Sequence, residues 1–117
     1  MAYKGKPEIV LVGERGGKEV EGFDLGNSPM VYHDGTYKDK DIVMTTTNGT
    51  LALKMAAQNH EQVLVGSFLN LSTLTNYILS RKENVIIFCA GWKRRYNLED
   101  TVFAGALSHQ LLSLIHI

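Results

Sequence analysis

The stretch Ile42-Val43-Met44-Thr45-Thr46-Thr47-Asn48-Gly49-Thr50 constrains the fold more than any other part of the chain. The apolar triplet Ile42–Met44 suits a strand covered on both faces. Beyond it, Leu51, Ala52, Met55 and Ala56 recur at helical spacing, with Lys54 and Gln58 on the opposite side. The turn between strand and helix carries four threonine hydroxyls, one amide and one glycine. A helix N-terminus leaves backbone N–H groups unpaired and directs the positive end of its dipole outward, so such a turn is suited to binding an anion. Gly49 would admit a ligand close to the backbone, and Thr45, Thr46, Thr47 and Thr50 could donate to phosphate oxygens. Asn48 or Thr50 could equally serve only to cap the helix, because capping uses the same residue types. The Gly-Lys-Ser/Thr ending of an ATP-binding P-loop is lacking.

The length of 117 residues bounds the chain to one domain or part of one, with enough residues for a real core. Twelve basic and twelve acidic side chains cancel, which gives no indication of nucleic acid or an anionic membrane as partner. The opening Met1–Pro7 has no apolar core, so no signal peptide is expected, and no apolar run is long enough to span a bilayer. Cys89 is the single cysteine, which excludes an internal disulfide and a multi-cysteine zinc site; a reducing cytoplasm is the default expectation. At the other end, an apolar helix runs into Ile117 without a Gly or Asn stop, as expected of a cut chain. Residues Ser113–Ile117 resemble translated sequencing-adapter read-through and carry no functional expectation.

Taken in order, Glu8–Val12 reads as a buried strand that stops at Gly13. Glu14-Arg15-Gly16-Gly17 then lies at a strand carboxyl end, where open α/β sheets place ligand-binding groups; a solvated turn is the plainer reading. Residues 13–41 hold no long periodic segment, and a connection of that length is more often functional than not. Within it, Phe23 and Leu25 read as anchors flanking Asp24, a carboxylate suited to metal binding, general-base work or merely an Asx-turn. A third strand is expected at Gln62–Gly66, followed by Asn70 as a helix N-cap with Leu71, Leu74, Ile78 and Leu79 on one face. A fourth is expected at Val85–Cys89, with Cys89 as a small core residue. Trp92–Tyr96 forms a basic turn, able to attract an anion or simply solvated. The last helix opens at Asn97-Leu98-Glu99-Asp100 and should bury Val102, Phe103, Ala106, Leu107 and Leu111. Glu99 and Asp100 complement the dipole there and have the oxygen chemistry of Mg²⁺ ligands. None of His33, His60, His109 and His116 pairs with another at ligand spacing.

Strands alternating with helices imply an α/β fold, a three-layer α/β/α arrangement around a mainly parallel sheet with right-handed crossovers. All the polar signals fall after strand carboxyl ends, on one rim if the strands are parallel.

Together these motifs resemble the 2-phosphosulfolactate phosphatase family. The resemblance rests on Gly13–Gly17, Gly22-Phe23-Asp24-Leu25-Gly26-Asn27-Ser28-Pro29, Thr46-Thr47-Asn48-Gly49-Thr50, Gly66–Asn70, Ala90-Gly91 and Leu98-Glu99-Asp100 with Ala104-Gly105. It runs through nearly the whole chain in order and spacing. It implies a Mg²⁺-dependent phosphomonoester hydrolase that converts 2-phospho-3-sulfolactate and water to 3-sulfolactate and phosphate, in some organisms for coenzyme M biosynthesis. Family chains are longer and begin with a segment carrying an Asp, an Arg and hydroxyl residues, so residues 1–117 would form one partial domain with 13–41 as an active-site loop. On this reading Asp24, Arg15 and Glu14 are catalytic, with Arg15 gripping phosphate, sulfonate or carboxylate. Thr46, Thr47, Asn48, Gly49 and Thr50 contact phosphate, while Asn27, Ser28 and Asn70 orient substrate or water. Asp24, Glu14, Glu99 and Asp100, in that order, are metal ligands or general base. The expected partner is a small phosphorylated anion, with neither nucleic acid nor membrane, and a homo-oligomer is compatible with the pattern. The competing expectations are a non-catalytic anion-binding domain and an inactive fragment.

Overall fold

A computed structural model describes residues 3, 6–33 and 35–115, with side chains as far as residue 113. The expectations placed on the opening residues and on the tail Ser113–Ile117, His116 included, fall largely outside the described residues. The chain divides into two compact units, residues 1–51 and 52–117.

The first unit is built on strand β1 (Ile9–Arg15), whose Val10, Leu11 and Val12 are at most 5% exposed. β-branched and leucine side chains alternating across a strand cover both of its faces, as the sequence implies for a central position. Strand β3 (Asp41–Thr45) runs parallel to it, in register from Ile9 opposite Asp41 to Gly13 opposite Thr45. On the other side the two-residue β2 (Lys18–Glu19) folds back antiparallel, with Arg15 opposite Lys18, giving the order β2-β1-β3. The loop of this hairpin is Gly16-Gly17, at φ +62° and +84°. Positive φ at both central residues gives the twist that a two-residue hairpin needs, and glycine adopts it without a Cβ clash.

The long segment after the hairpin is anchored as its apolar pair suggests. Leu25 bridges to Val12, donating its N–H to the Leu11 carbonyl (3.2 Å) while its own carbonyl accepts from Gly13 (3.0 Å). The Phe23 ring lies beside Gly13: a Cβ on Gly13 would stand 3.1 Å from that ring and 2.8–2.9 Å from the side chain and carbonyl of Thr45. Gly13 is therefore the point where β1, β3 and the loop converge. A short 3-10 turn, Pro29–Tyr32, is the remaining regular piece before β3.

Helix α1 (Gly49–Asn59) starts in the first unit and continues in the second. The second unit is otherwise organised by α2 (Leu71–Arg81) and α3 (Leu98–Ile115), whose shared core is Leu74, Ile78 and Leu107 with Leu71, Phe103 and Leu111 against it. Thr75, 1% exposed, joins the two helices through its hydroxyl, 2.9 Å from Gln110 Oε1. Gly66 lies on this core: a Cβ there would come within 2.6–2.9 Å of Phe103 and Leu74. Among the described residues no helix is long and apolar enough to cross a membrane.

The architecture is α/β with a small mixed sheet whose principal pairing is parallel. Several expectations are corrected. Gln62–Gly66 and Val85–Cys89 are not strands; neither enters a ladder among the described residues, although both have strand composition. A strand exists only with a hydrogen-bonded neighbour, and propensity cannot supply one. Consequently Val65 and Ile86 are 66% and 73% exposed, and Cys89 is exposed rather than in a core. Ile42 and Met44 also stand exposed, because the face of β3 that carries both is uncovered, so β3 is not a strand covered on both faces. Leu51, Met55 and Val102 are exposed as well, leaving Leu107 as the fully buried apolar residue of the α3 face.

Gly13→Ala should destabilise the first unit by about 1–3 kcal/mol, since the clash is with backbone and a packed ring rather than a mobile chain end. Hydrogen exchange at the β1 and β3 amides measures this.

Candidate functional site

The parallel ladder ends at Gly13 and Thr45, and side chains extend the join beyond it. Successive residues of a strand face opposite sides, so Glu14 and Arg15 reach the end of β3 by different routes. Glu14 is 7% exposed, and both of its oxygens are engaged. Oε1 accepts the Thr47 N–H at 2.6 Å; Oε2 accepts the Gly17 N–H at 2.8 Å and the Thr47 hydroxyl at 3.1 Å. The same hydroxyl accepts the Gly16 N–H at 3.0 Å. Arg15 is exposed and donates from Nη2 to the Thr45 hydroxyl at 2.8 Å and from Nη1 to the Glu14 carbonyl at 3.1 Å.

These bonds tie the Gly16-Gly17 hairpin to the turn after β3. They also fix the charge state of Glu14. The Thr47 N–H, followed by the Gly17 N–H, holds its carboxyl below the usual carboxylate range, against the opposing effect of burial.

Thr46 and Thr50 face the helix instead. The Thr46 N–H donates to the Thr50 hydroxyl at 2.8 Å, and the Thr50 N–H donates to the Thr46 hydroxyl at 3.2 Å. This reciprocal pair closes the turn over the start of α1, in the manner of a capping box. Gly49 fits the same turn, since a Cβ there would lie 2.9 Å from Thr46 Oγ1. Asn48 sits half-buried between them. The phosphate-contact group proposed from sequence is thus brought into one turn beside Arg15 and Glu14. The backbone N–H groups of Thr46, Thr47 and Thr50, however, already serve the protein itself.

The other expected residues lie elsewhere. The Asp24 carboxylate accepts the Leu11 N–H at 2.8 Å and its own N–H donates to the Leu11 carbonyl at 2.9 Å, so it occupies the edge of β1 that β3 does not. Asn27 and Ser28 are exposed; Ser28 precedes the Pro29–Tyr32 turn without a side-chain cap bond. In the second unit, Asn70 accepts the Ser67 N–H at 2.8 Å and donates to the Val65 carbonyl at 3.0 Å, holding the turn before α2 rather than capping its first amides. Glu99 lies exposed in the first turn of α3, where the Asn97 side chain accepts its N–H at 2.9 Å. Asp100 accepts the Gly91 N–H at 2.6 Å. That bond steadies the basic turn, in which Lys93 and Arg94 both take positive φ, 50° and 60°. Sequence reading missed Thr45 as the partner of Arg15, and Gly17 as a carboxylate ligand through its amide. The Gly-Gly pair after a strand was the available signal for the hairpin that aims that amide.

Among the described residues no three His, Cys, Asp or Glu side chains gather where they could hold a metal. Glu14, Asp24 and Asp100 each accept backbone N–H groups, which take up part of their lone-pair capacity. A cleft of about 300 Å³ in the second unit is lined by Ser72, Thr75, Asn76, Gln110 and Ser113. It holds no ionisable side chain and gives no chemistry of its own.

Comparison with known proteins decides the family. A profile described as 2-phosphosulpholactate phosphatase matches residues 1–117. The chain belongs to this family. It is 43% identical to a protein of Caldanaerobacter subterraneus subsp. tengcongensis over 91% of its own length and 44% of the relative. It is 42% identical to one of Thermotoga petrophila over 92% of the chain and 46% of the relative. Against one of Deinococcus radiodurans the identity is 40%, over 92% and 45%. Each of these is named "Probable 2-phosphosulfolactate phosphatase". The chain thus spans rather under half the length of these relatives.

A carboxylate held as an anion by folding stabilises the native state above its unfolded pKa, and that contribution is lost as pH falls through the lower native value. Amide exchange at Gly17 and Thr47, corrected for its intrinsic pH dependence, should therefore accelerate on acidification below the usual carboxylate range. Glu14→Gln should remove that acid dependence.

Proposed function

We propose that this chain supplies part of the phosphate-handling rim of a phosphomonoester hydrolase. In the full-length family protein the reaction is 2-phospho-3-sulfolactate with water to 3-sulfolactate and phosphate. One observation carries the reading: in a chain matched to this family from end to end, Arg15 and the threonine turn share the carboxyl rim of a parallel strand pair. Phosphoryl transfer depends chiefly on positioning and on neutralising oxygens that share negative charge. Arg15 suits that task, because a guanidinium carries five N–H donors in a planar fork and two of the named bonds use only part of it. The dipole of α1 adds positive potential on the same rim. Asp24 is kept in this proposal as a carboxylate near β1 that could act on water or metal once released from Leu11. Mg²⁺ dependence, a cytoplasmic setting and a place in coenzyme M biosynthesis belong to the proposal, with no chemical step assigned to the ion.

A second reading draws on the exposure of Val65, Leu69, Ile86 and Phe88 and on the internal bonding of the threonine turn. On that reading the 117 residues alone bind anions or are inactive, and turnover needs the family's full length.

Phosphate release from 2-phosphosulfolactate, with Mg²⁺ and then with a chelator, tests both on this chain and on one extended to the length of its relatives. Chelator-sensitive release is the expected result for the extended chain, and Arg15→Ala should lower it about 100-fold or more, the scale of losing one preorganised charge partner. Absence of release from both chains would end the hydrolase reading.

A further inference from the structure

We propose that Glu14 is a positioning residue, the latch that sets Arg15 for its anion, rather than a metal ligand or general base. The inference rests on the hydrolase reading for what Arg15 grips, and on geometry alone for the latch. Both Glu14 oxygens are occupied by three donors from two segments, the Gly17 amide on the hairpin and the amide and hydroxyl of Thr47 on the turn. A base or metal ligand needs a lone pair directed at its target, whereas three of this carboxylate's roughly four acceptor sites are directed at the protein. Its 7% exposure also places it beneath the rim, not on it. The immediate effect falls on Arg15. One Arg15 nitrogen is held by Thr45, two residues before Thr47, and the other by the Glu14 carbonyl. Locking Thr47 to Glu14 therefore fixes the spacing between both Arg15 acceptors. Without the lock the turn and hairpin can part, and the guanidinium loses the Thr45 hydroxyl while keeping the carbonyl of the residue before it. Charge is part of the device, since anionic acceptors form the stronger hydrogen bonds and a neutral amide would set an N–H donor against an N–H donor.

The test compares the wild-type chain with Glu14→Gln and Thr47→Val, following hydrogen exchange and titrating with inorganic phosphate and, separately, Mg²⁺. In Glu14→Gln, exchange at Gly17 and Thr47 should quicken about tenfold or more while the β1 and β3 amides keep their protection. Phosphate affinity should fall about tenfold, and any Mg²⁺ affinity should be unchanged. Thr47→Val, which keeps the amide and removes the hydroxyl, should fall between wild type and Glu14→Gln; it also reports if the glutamine variant does not fold. A latch without influence on Arg15 would leave phosphate affinity unmoved, and that result overturns the proposal. Lost Mg²⁺ affinity with intact Gly17 and Thr47 protection would also overturn it, making Glu14 a metal ligand. If wild type takes up no phosphate, the gripping role of Arg15 falls, and unchanged exchange in Glu14→Gln would remove the latch as well.

Discussion

The join between the hairpin and the threonine turn of the first unit depends on one buried carboxylate accepting three hydrogen bonds. Glu14 lies where the backbone ladder of β1 and β3 stops, and beyond that point nothing in the sheet itself would keep the hairpin beside the turn. An ionised group removed from water is costly unless its lone pairs are met. Here most of them are met, by two amides and a hydroxyl, so the charge that would oppose folding instead joins two segments. The neighbouring features serve the same join. Gly16-Gly17 turns the chain sharply enough to aim the Gly17 amide back at Glu14. Gly13 lets Thr45 and Phe23 close on β1. Thr46 and Thr50 bind one another, which leaves Thr47 to face the hairpin.

Much of this was legible in the sequence, and what was not has a physical explanation. The buried run Val10–Val12, the strand-turn-helix at 42–50 and the anchoring of Phe23 and Leu25 all rest on local periodicity and residue type. Those signals survive without knowledge of neighbours. Glu14 was singled out beside Arg15, and the structure places it against the Thr47 turn. Which role it has could not be read, because a carboxylate facing amides and a carboxylate facing a cation are the same letters. The runs Val63–Val65 and Val85–Phe88 show the opposite limit. Their composition is that of strands, yet pairing is a non-local property, and among the described residues they have no ladder partner.

The helical unit has a different economy of polar groups. Thr75 is almost wholly buried, but its hydroxyl is shared between the Leu71 carbonyl and Gln110, so the contact between α2 and α3 combines apolar packing with one polar pin. The Asp100–Gly91 bond similarly steadies a turn whose Lys93 and Arg94 backbones lie in a region that side chains disfavour by roughly 1–2 kcal/mol each. Asn97 caps the first turn of α3 by accepting the Glu99 N–H, as its residue type suggests, whereas Asn70, expected as a cap, braces the turn before α2 instead. In this unit most of the polar residues considered for chemistry have demonstrable structural partners. In the first, Arg15 is an exposed group with donors left over beside the threonine turn.

The contrast between Arg15 and Glu14 has a consequence for ionic strength. Dissolved salt screens exposed charges over about 8–10 Å near physiological concentration, and reaches a buried group bonded to neutral dipoles far less. Arg15 stands in the solvent, while Glu14 is covered and held chiefly by amides. Under the proposed function, added salt would thus loosen the hold on an arriving anion without loosening the frame that presents the guanidinium, so that capture and architecture answer to different properties of the surrounding solution.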